Sequence, residues 1–374
     1  MRLTIERSNL IRPLSRTTRV VERRNTIPIL ANVLLRADQD GLHMKATDLD
    51  LEVSETAAAR VEAEGAVTVP AHLLHDIVRK LPDGAEVMLR TGEDGGVTVA
   101  AGRSNFRLQT LPETDFPDLT AGEFTHAFSM PATELAMLVE RTAFAISTEE
   151  TRYYLNGIYV HVVDGQLRAV ATDGHRLARA EVEAPEGADG MPGVIVPRKT
   201  VGEVQKLLGG AQAGEDGEPA SVRIELSDAK IRFSLGGVVL TSKLIDGTFP
   251  DYQRVIPTAN EKALTMDRQS FAGAVDRVAT VSSERGRAVK LAIGDGQVVL
   301  TVNNPDSGSA EEELAVGYED DPLEIGFNAR YLLDIASQIT GDEAVFMLND
   351  AGSPTLIRDK GDESALYVLM PMRV

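Results

Sequence analysis

The sequence predicts an α+β protein in which one module is written three times, and three sets of matching residues carry that prediction. The first is a strand-like run ending in Val170-Ala171-Thr172-Asp173-Gly174-His175-Arg176-Leu177-Ala178. Gly41 to Val53 has the same shape, with Ala46-Thr47-Asp48 opposite Ala171-Thr172-Asp173, and in Gly296 to Asn304 the run Val302-Asn303-Asn304 takes that place. The second is a set of helix-like segments, and the third is a proline-bearing close to each copy. Only the middle copy carries Gly-His-Arg.

In chain order, Leu3-Thr4-Ile5 precedes a helical pattern over 6–24, Phe128-Ser129-Met130 one over 132–146, and Leu264-Thr265-Met266 one over 267–287. Laid over one another they align Leu10, Leu135 and Phe271, then Leu14, Val139 and Val275, then Arg16, Arg141 and Arg277. Apolar positions recur at i, i+4 and near i+7, which is one helix face. Pro13 falls early in the first segment, where it removes a backbone donor or bends the helix. A second helix in each third (71–81, 197–208, 328–340) follows Val67-Thr68-Val69-Pro70, Val194-Ile195-Val196-Pro197 and Ile325-Gly326-Phe327-Asn328. These align Asp76, Glu203 and Asp334, and Ile77, Val204 and Ile335. Each third closes on a hairpin ending in proline: Phe116-Pro117, Phe249-Pro250 and Met370-Pro371. Offsets of 121 to 136 residues between copies are too long for a solenoid, so each copy reads as a domain of two β-α-β-β-β halves. The expected domains are 1–120, 121–254 and 255–374. The Gly/Asp-rich joint Gly209 to Gly217 reads as a turn or loop inside a copy.

The totals bound the function. At 374 residues the chain suits two or three cores, and 43% hydrophobic with 25% charged residues is a globular composition. The absence of cysteine excludes disulfides and thiolate metal sites. Met1 to Arg7 is charged and has no apolar core, so no signal peptide is expected, and no apolar run approaches membrane-spanning length. The expected location is cytoplasmic.

A net charge of −19 argues against nucleic acid only if it is spread evenly. It is not. The six helical segments carry +7 together, leaving −26 on the remainder, and 6–24 contributes most through Arg7, Arg12, Arg16, Arg19, Arg23 and Arg24. Helices gathered on one surface would attract phosphate while the rest repelled it, a layout for sequence-independent backbone contact.

Catalytic and metal readings fare worse. Asp173, His175 and Arg176 could form a hydrolytic or phosphoryl-transfer centre, but no serine nucleophile motif accompanies them and no third triad member is identifiable. His72 and His75 lie at i, i+3 without a third ligand, so they read as surface histidines. Asp48, Asp50 and Glu52 alternate with Leu49, Leu51 and Val53, which reads as a half-buried strand showing its solvent face before it reads as a Mg²⁺ site. No Gly-Lys dipeptide occurs, so there is no P-loop. No cofactor is expected.

Several motifs resemble one family. Arg152-Tyr153-Tyr154-Leu155-Asn156-Gly157, Thr172-Asp173-Gly174-His175-Arg176-Leu177-Ala178 and Val196-Pro197-Arg198-Lys199 resemble the bacterial sliding clamp, the beta subunit of DNA polymerase III. So do Ser242-Lys243-Leu244-Ile245-Asp246-Gly247, Phe249-Pro250-Asp251-Tyr252 and the terminal Met370-Pro371-Met372-Arg373. The likeness runs the whole length. It implies a head-to-tail homodimer closing into a ring of six domains, helices inside and sheets outside, that encircles duplex DNA, slides without reading bases and has no catalytic activity. The implied partners are the replicative polymerase catalytic subunit, the clamp loader, translesion polymerases and mismatch-repair proteins, all engaged through short linear motifs.

The resemblance also implies sites. A peptide pocket between the second and third domains matches Leu155, Thr172, Gly174, His175, Arg176, Leu177, Pro250, Arg254, Val255, Val368, Met370 and Pro371, with Arg152, Tyr154, Tyr331 and Met372 at its rim or adjoining cleft. Leu, Val and Met suit an adaptable groove, Gly174 admits a ligand to the backbone, and the arginines are expected to meet acidic or carbonyl groups of the peptide. The run Met370 to Val374 is expected both to dock as a terminal strand and to wall the pocket. Arg24, Tyr153 and Tyr154 match DNA-contact positions. Glu149 stands where a Gln is familiar and His72 where an Arg is, and both lower local positive charge, so direct DNA binding should be weak and salt-sensitive. The basic loop Ser283 to Arg287 also differs from the familiar version. The dimer seam is expected to join an edge strand carrying Arg103, Phe106, Arg107 and Leu108 to Thr280, Val281 and an acidic loop, Asp306 to Glu313, of the partner. Two rival classes remain at this point. One is a three-domain enzyme centred on Asp173, His175 and Arg176; the other is a protein-binding scaffold that does not hold DNA.

Overall fold

The computed structural model describes residues 1–374 except 94, 120–121, 211–219 and 283–287. The joint over 211–217 and the loop 283–287 therefore lie outside the described residues.

The half-module of strand, helix and three strands recurs six times. The first copy runs β1 (Arg2–Glu6), α1 (Arg7–Val20), β2 (Asn32–Asp38), β3 (Gly41–Thr47) and β4 (Leu51–Ala57). After an extra strand, β5 (Arg60–Ala63), it continues as β6 (Gly65–Pro70), α2 (Ala71–Lys80), β7 (Glu86–Thr91), β8 (Val97–Ala101) and β9 (Ser104–Leu108). The second copy runs β10 (His126–Pro131), α3 (Ala132–Ala143), β11 (Gly157–Val163), β12 (Gln166–Thr172), β13 (Arg176–Glu183), then β14 (Val194–Pro197), α4 (Arg198–Gly209), β15 (Ser221–Leu226), β16 (Lys230–Leu235) and β17 (Val238–Lys243). The third runs β18 (Lys262–Asp267), α5 (Arg268–Ala279), β19 (Ala288–Gly294), β20 (Gln297–Asn304), β21 (Gly308–Ala315), then β22 (Leu323–Asn328), α6 (Ala329–Ala336), β23 (Glu343–Leu348), β24 (Thr355–Asp359) and β25 (Ala365–Leu369).

Two compact units result. Met1–Ala132 with Lys206–Leu244 holds a sheet ordered β5-β1-β7-β8-β9 and an eight-stranded sheet ordered β10-β15-β16-β17-β4-β3-β2-β6. Thr133–Gln205 with Ile245–Val374 holds an eight-stranded sheet ordered β14-β11-β12-β13-β25-β24-β23-β18 and a four-stranded one ordered β21-β20-β19-β22. The long sheets are continuous across copies: β17 pairs with β4, and β13 with β25, both antiparallel.

The aligned helix positions do what their spacing requires. Leu10, Leu135, Phe271, Leu14, Val139 and Val275 are all buried. The aligned arginines form helix-to-sheet ties: Arg16 to Glu55 of β4, Arg277 to Glu312 of β21, and Arg141 to Asp362 and Ser364 just before β25. In the middle copy Ala180 stands where Glu55 stands in the first, so Arg141 takes its acid from the neighbouring strand's approach. Asp267 caps α5 by accepting from the Ser270 N–H, and Asn328 caps α6 by accepting from Arg330 and Tyr331.

Several expectations are corrected. Helix α1 stops at Val20, leaving Arg23 and Arg24 in the following loop, yet the six helices as built still carry +7. Pro13 sits inside α1 without ending it; the Thr17 hydroxyl donates to the Pro13 carbonyl at 3.0 Å. Asp48 to Asp50 form a turn instead of a strand, and Glu52 is buried, accepting from the Leu119 N–H and pairing with Lys45. The expected acidic loop is mostly strand β21, an edge of its sheet.

Replacing Phe271, which is fully buried and packs edge-to-face on Phe346 at 5.3 Å, with Ala should lower stability by about 3–5 kcal/mol in urea unfolding.

Candidate peptide-binding and DNA-contact sites

The motif Thr172 to Leu177 is a tight turn between β12 and β13, held by its own side chains. Asp173 Oδ1 accepts from the N–H of His175 at 2.9 Å and of Arg176 at 3.0 Å, and Thr172 Oγ1 donates to the Arg176 carbonyl at 2.7 Å. The first copy builds the same turn: Asp48 Oδ1 accepts from Asp50 and Leu51, with Leu49 at φ 79° where Gly174 has φ 89°. The middle copy differs in two consequential residues. Gly174 leaves space, since a Cβ there would lie 2.5 Å from Arg152 Nη1, and Arg176 replaces the buried Leu51.

The turn opens onto a cavity of about 260 Å³ lined by Arg152, Tyr154, Leu155, Thr172, Gly174, His175, Arg176, Leu177, Pro250, Asp251, Tyr252, Val255, Val368 and Met370. Its floor is apolar: Leu155, Leu177, Tyr252 and Val368 are buried in one cluster with Val170, Ile195 and Phe249. Its lip is apolar too, with Val255 50% and Met370 41% exposed. Strand β25 supplies the far wall because Arg176 to Ala180 pair with Leu369 to Ala365, and the Met370 N–H extends that ladder to the His175 carbonyl.

Twelve of the sixteen expected pocket residues line the cavity, and four lie elsewhere. Arg254 is 84% exposed and ion-paired to Asp251. Tyr331 stacks under Arg176, whose guanidinium carbon lies 4.2 Å from its ring centre. Pro371 and Met372 run on past the lip, and Met372 bridges Gly326 at the edge strand β22. Gly326 is needed there, since a Cβ would sit 2.7 Å from the Met372 carbonyl oxygen. Asp251 and Tyr252 also line the cavity, and no local signal in the sequence assigns them to it.

The arginines do not wait for a ligand. Arg176 is almost wholly buried and donates to Asp173 at 3.2 Å, to Asp334 at 2.5 Å and to the Phe144 carbonyl at 2.7 Å. Arg152 donates through Nε to Glu149 at 2.9 Å, which holds that carboxyl below its ordinary range. Each of the two arginines is thus already paired with an acid of the same chain. Behind the floor, Tyr252 meets His161 Nε2 at 3.1 Å, and Tyr159 is sandwiched between His161 and Phe249. Burial lowers His161 to about 4 and raises Tyr159.

The residues expected to contact DNA are placed differently. Arg24 is exposed in the loop after α1, and His72 is half-buried with Nε2 at 2.9 Å from the Val21 carbonyl. Tyr153 is 54% exposed and meets Tyr154 edge-to-face at 5.8 Å, both packed against Gly247. His75 faces Ser15 Oγ at 3.1 Å, and no group of metal-ligating side chains occurs among the described residues. Of the residues expected at a seam, Arg103, Phe106 and Arg107 are exposed on or beside edge strand β9, whereas Leu108 is 3% exposed in the first unit's core. Thr280 is exposed at the end of α5; half-buried Val281 accepts from Asn304 through its carbonyl.

Two outcomes follow. Gly174→Ala should weaken peptide binding more than it weakens folding, because Leu49 occupies the same left-handed position in the first copy while the new methyl displaces Arg152; isothermal titration beside thermal melts checks this. Because His161 titrates near 4 when folded and near 6.5 when not, its neutral form stabilises the fold above about 6.5, and that contribution is lost as pH falls toward 4. The drop in Tm between pH 7 and pH 4.5 should therefore be smaller in His161→Gln than in the wild type.

Residues 1–120, 129–251 and 253–373 match the N-terminal, central and C-terminal domains of the DNA polymerase III beta subunit. The beta sliding clamp of Caulobacter vibrioides (strain NA1000 / CB15N) is 53% identical over 379 residues, covering 100% of both chains. A sliding clamp from Bartonella birtlesii, crystallised bound to griselimycin, is 59% identical with a TM-score of 0.95 and 100% coverage of both chains. One from Pseudomonas aeruginosa, also bound to griselimycin, is 40% identical with a TM-score of 0.94, again with 100% coverage of both chains. The chain belongs to the DNA polymerase III beta subunit family, the bacterial beta sliding clamps.

Proposed function

We propose that this protein is the processivity factor of the replicative DNA polymerase: a non-catalytic homodimeric ring that encircles duplex DNA and tethers the polymerase to it. The observation that carries this reading is the division of charge, +7 on six helices within a chain of net −19. A surface of that kind holds phosphate backbones without reading bases, so retention has to come from topology, not affinity. Arg24, Tyr153 and Tyr154 supply backbone contact, while Glu149 and His72 keep direct binding weak. The three family matches support domains at 1–120, 121–254 and 255–374, although the sheets run across both borders.

The cavity beside Gly174 is the docking site for short linear motifs of the polymerase catalytic subunit, clamp loader, translesion polymerases and mismatch-repair proteins. Leu155, Leu177, Val255, Val368 and Met370 give it apolar walls suited to peptide anchors. The head-to-tail seam joins β9, through Arg103, Phe106 and Arg107, to β21 and Thr280 of a second copy. Both strands are sheet edges, and Glu311 to Glu313 complement the arginines. No helix among the described residues is long and apolar enough to cross a membrane, and a replication clamp works in the cytoplasm.

Loading onto nicked circular DNA by a clamp loader, followed by linearisation, is the test. Retention on the circle with rapid loss from the cut molecule is expected. Equal retention on both, or equal loss, would overturn the ring and reopen Asp173, His175 and Arg176 as an active centre.

A further inference from the structure

The arginines around the cavity all have acidic partners within the folded chain. Arg152 is held by Glu149 at 2.8 and 2.9 Å, Arg176 by Asp173 at 3.2 Å and Asp334 at 2.5 Å, and Arg254 by Asp251 at 2.8 Å. Three arginines against four carboxylates leave this group of ion pairs with no net positive charge. An apolar peptide loses nothing on entering the cavity. A peptide carboxylate meets guanidinium groups that are already neutralised.

Among the three, the Arg152 pair is the one placed to choose between ligands. Arg176 is buried and fully bonded, and Arg254 lies outside the cavity lining. Arg152 lines the cavity and lies across the bare backbone of Gly174. Its partner Glu149 lies outside the lining, with more than half of its side chain exposed. The interaction is an exposed ion pair, so an incoming carboxylate could exchange for Glu149, but the exchange swaps one pair for another and gains almost nothing.

We propose that Glu149 is a specificity-determining residue of the peptide site: by holding Arg152 across Gly174 it withholds that guanidinium from acidic peptides, so the site selects apolar, uncharged segments. The inference rests on the cavity being the peptide site. Replacing the carboxylate by an amide keeps a hydrogen-bond acceptor for Arg152 but removes the competing charge. The freed charge then becomes available to a peptide carboxylate at the strength of an exposed ion pair, roughly a two- to five-fold change in affinity.

The test uses the full-length protein and two fluorescein-labelled capped pentapeptides, Ala-Leu-Ser-Leu-Phe and its counterpart with Asp in place of Ser, read by fluorescence anisotropy. In Glu149→Gln the Asp peptide should tighten roughly two- to five-fold while the Ser peptide stays unchanged, and the gain should shrink at about 0.5 M salt. The gain should vanish when Glu149→Gln is placed in an Arg152→Ala background. Equal effects on both peptides, or none, would overturn the inference and leave the pocket intact. A gain that persists without Arg152 would also overturn it, since Glu149 would then act by direct repulsion. If neither peptide bound the wild type, the pocket assignment would fall and take this inference with it.

Discussion

The antiparallel pairing of β13 with β25 is the contact on which the candidate site depends. It joins residues 176–180 to residues 365–369, sets the last strand of the chain as a wall, and continues through the Met370 N–H to the His175 carbonyl. A one-residue slip would turn Leu177 and Val368 away from the cavity and expose the opposite faces of both strands. The terminus beyond is held by a further bridge from Met372 to Gly326, where the missing side chain lets two backbones approach. The wall is therefore fixed at both ends by main-chain hydrogen bonds, and its apolar side chains can adapt without losing their place.

The same module gives different results in different copies because of very few residues. The Asp-centred turn is common to the first and middle copies, including the left-handed residue at its second position. Leu49 fills that position in the first copy, and Leu51 is buried beside it. In the middle copy glycine clears the space and Arg176 carries a buried charge. That charge is tolerable because two carboxylates, one carbonyl and the faces of Phe144 and Tyr331 surround it. The arginine acts as a clasp joining β13, α6 and the end of α3, and its chemistry is spent on positioning.

Pairing also tempers the basic helices. Arg16, Arg141 and Arg277 each reach an acid on or beside a strand, so part of the helical charge is matched inside the protein. A weak, diffuse positive field suits a ring that must move along DNA, because tight phosphate contacts would resist sliding.

What the sequence determined by itself was the repeated architecture; its resemblance to a known family pointed to twelve of the residues that line the cavity. Leu10, Leu135 and Phe271 could be aligned because helix periodicity is local, and all three prove buried. The motif around Gly174 was visible because a turn between strands is built from adjacent residues. The tertiary structure alone decided where charges end. Arg152 and Glu149 are near neighbours in sequence, but Arg176 finds Asp334 across 158 residues, and nothing in either segment specifies that partner. Leu108 is buried in the core while Arg103 to Arg107 before it are exposed, a difference that depends on what packs over the end of β9 and not on the strand's own sequence. Asp48 to Glu52 read as one strand and instead split into a turn and a buried carboxylate, since the Leu119 N–H and Lys45 that satisfy Glu52 come from other segments. Periodicity and turn chemistry are properties of neighbours along the chain. The pairing of buried charges depends on which distant strands are brought side by side, and only the assembled sheets supply that.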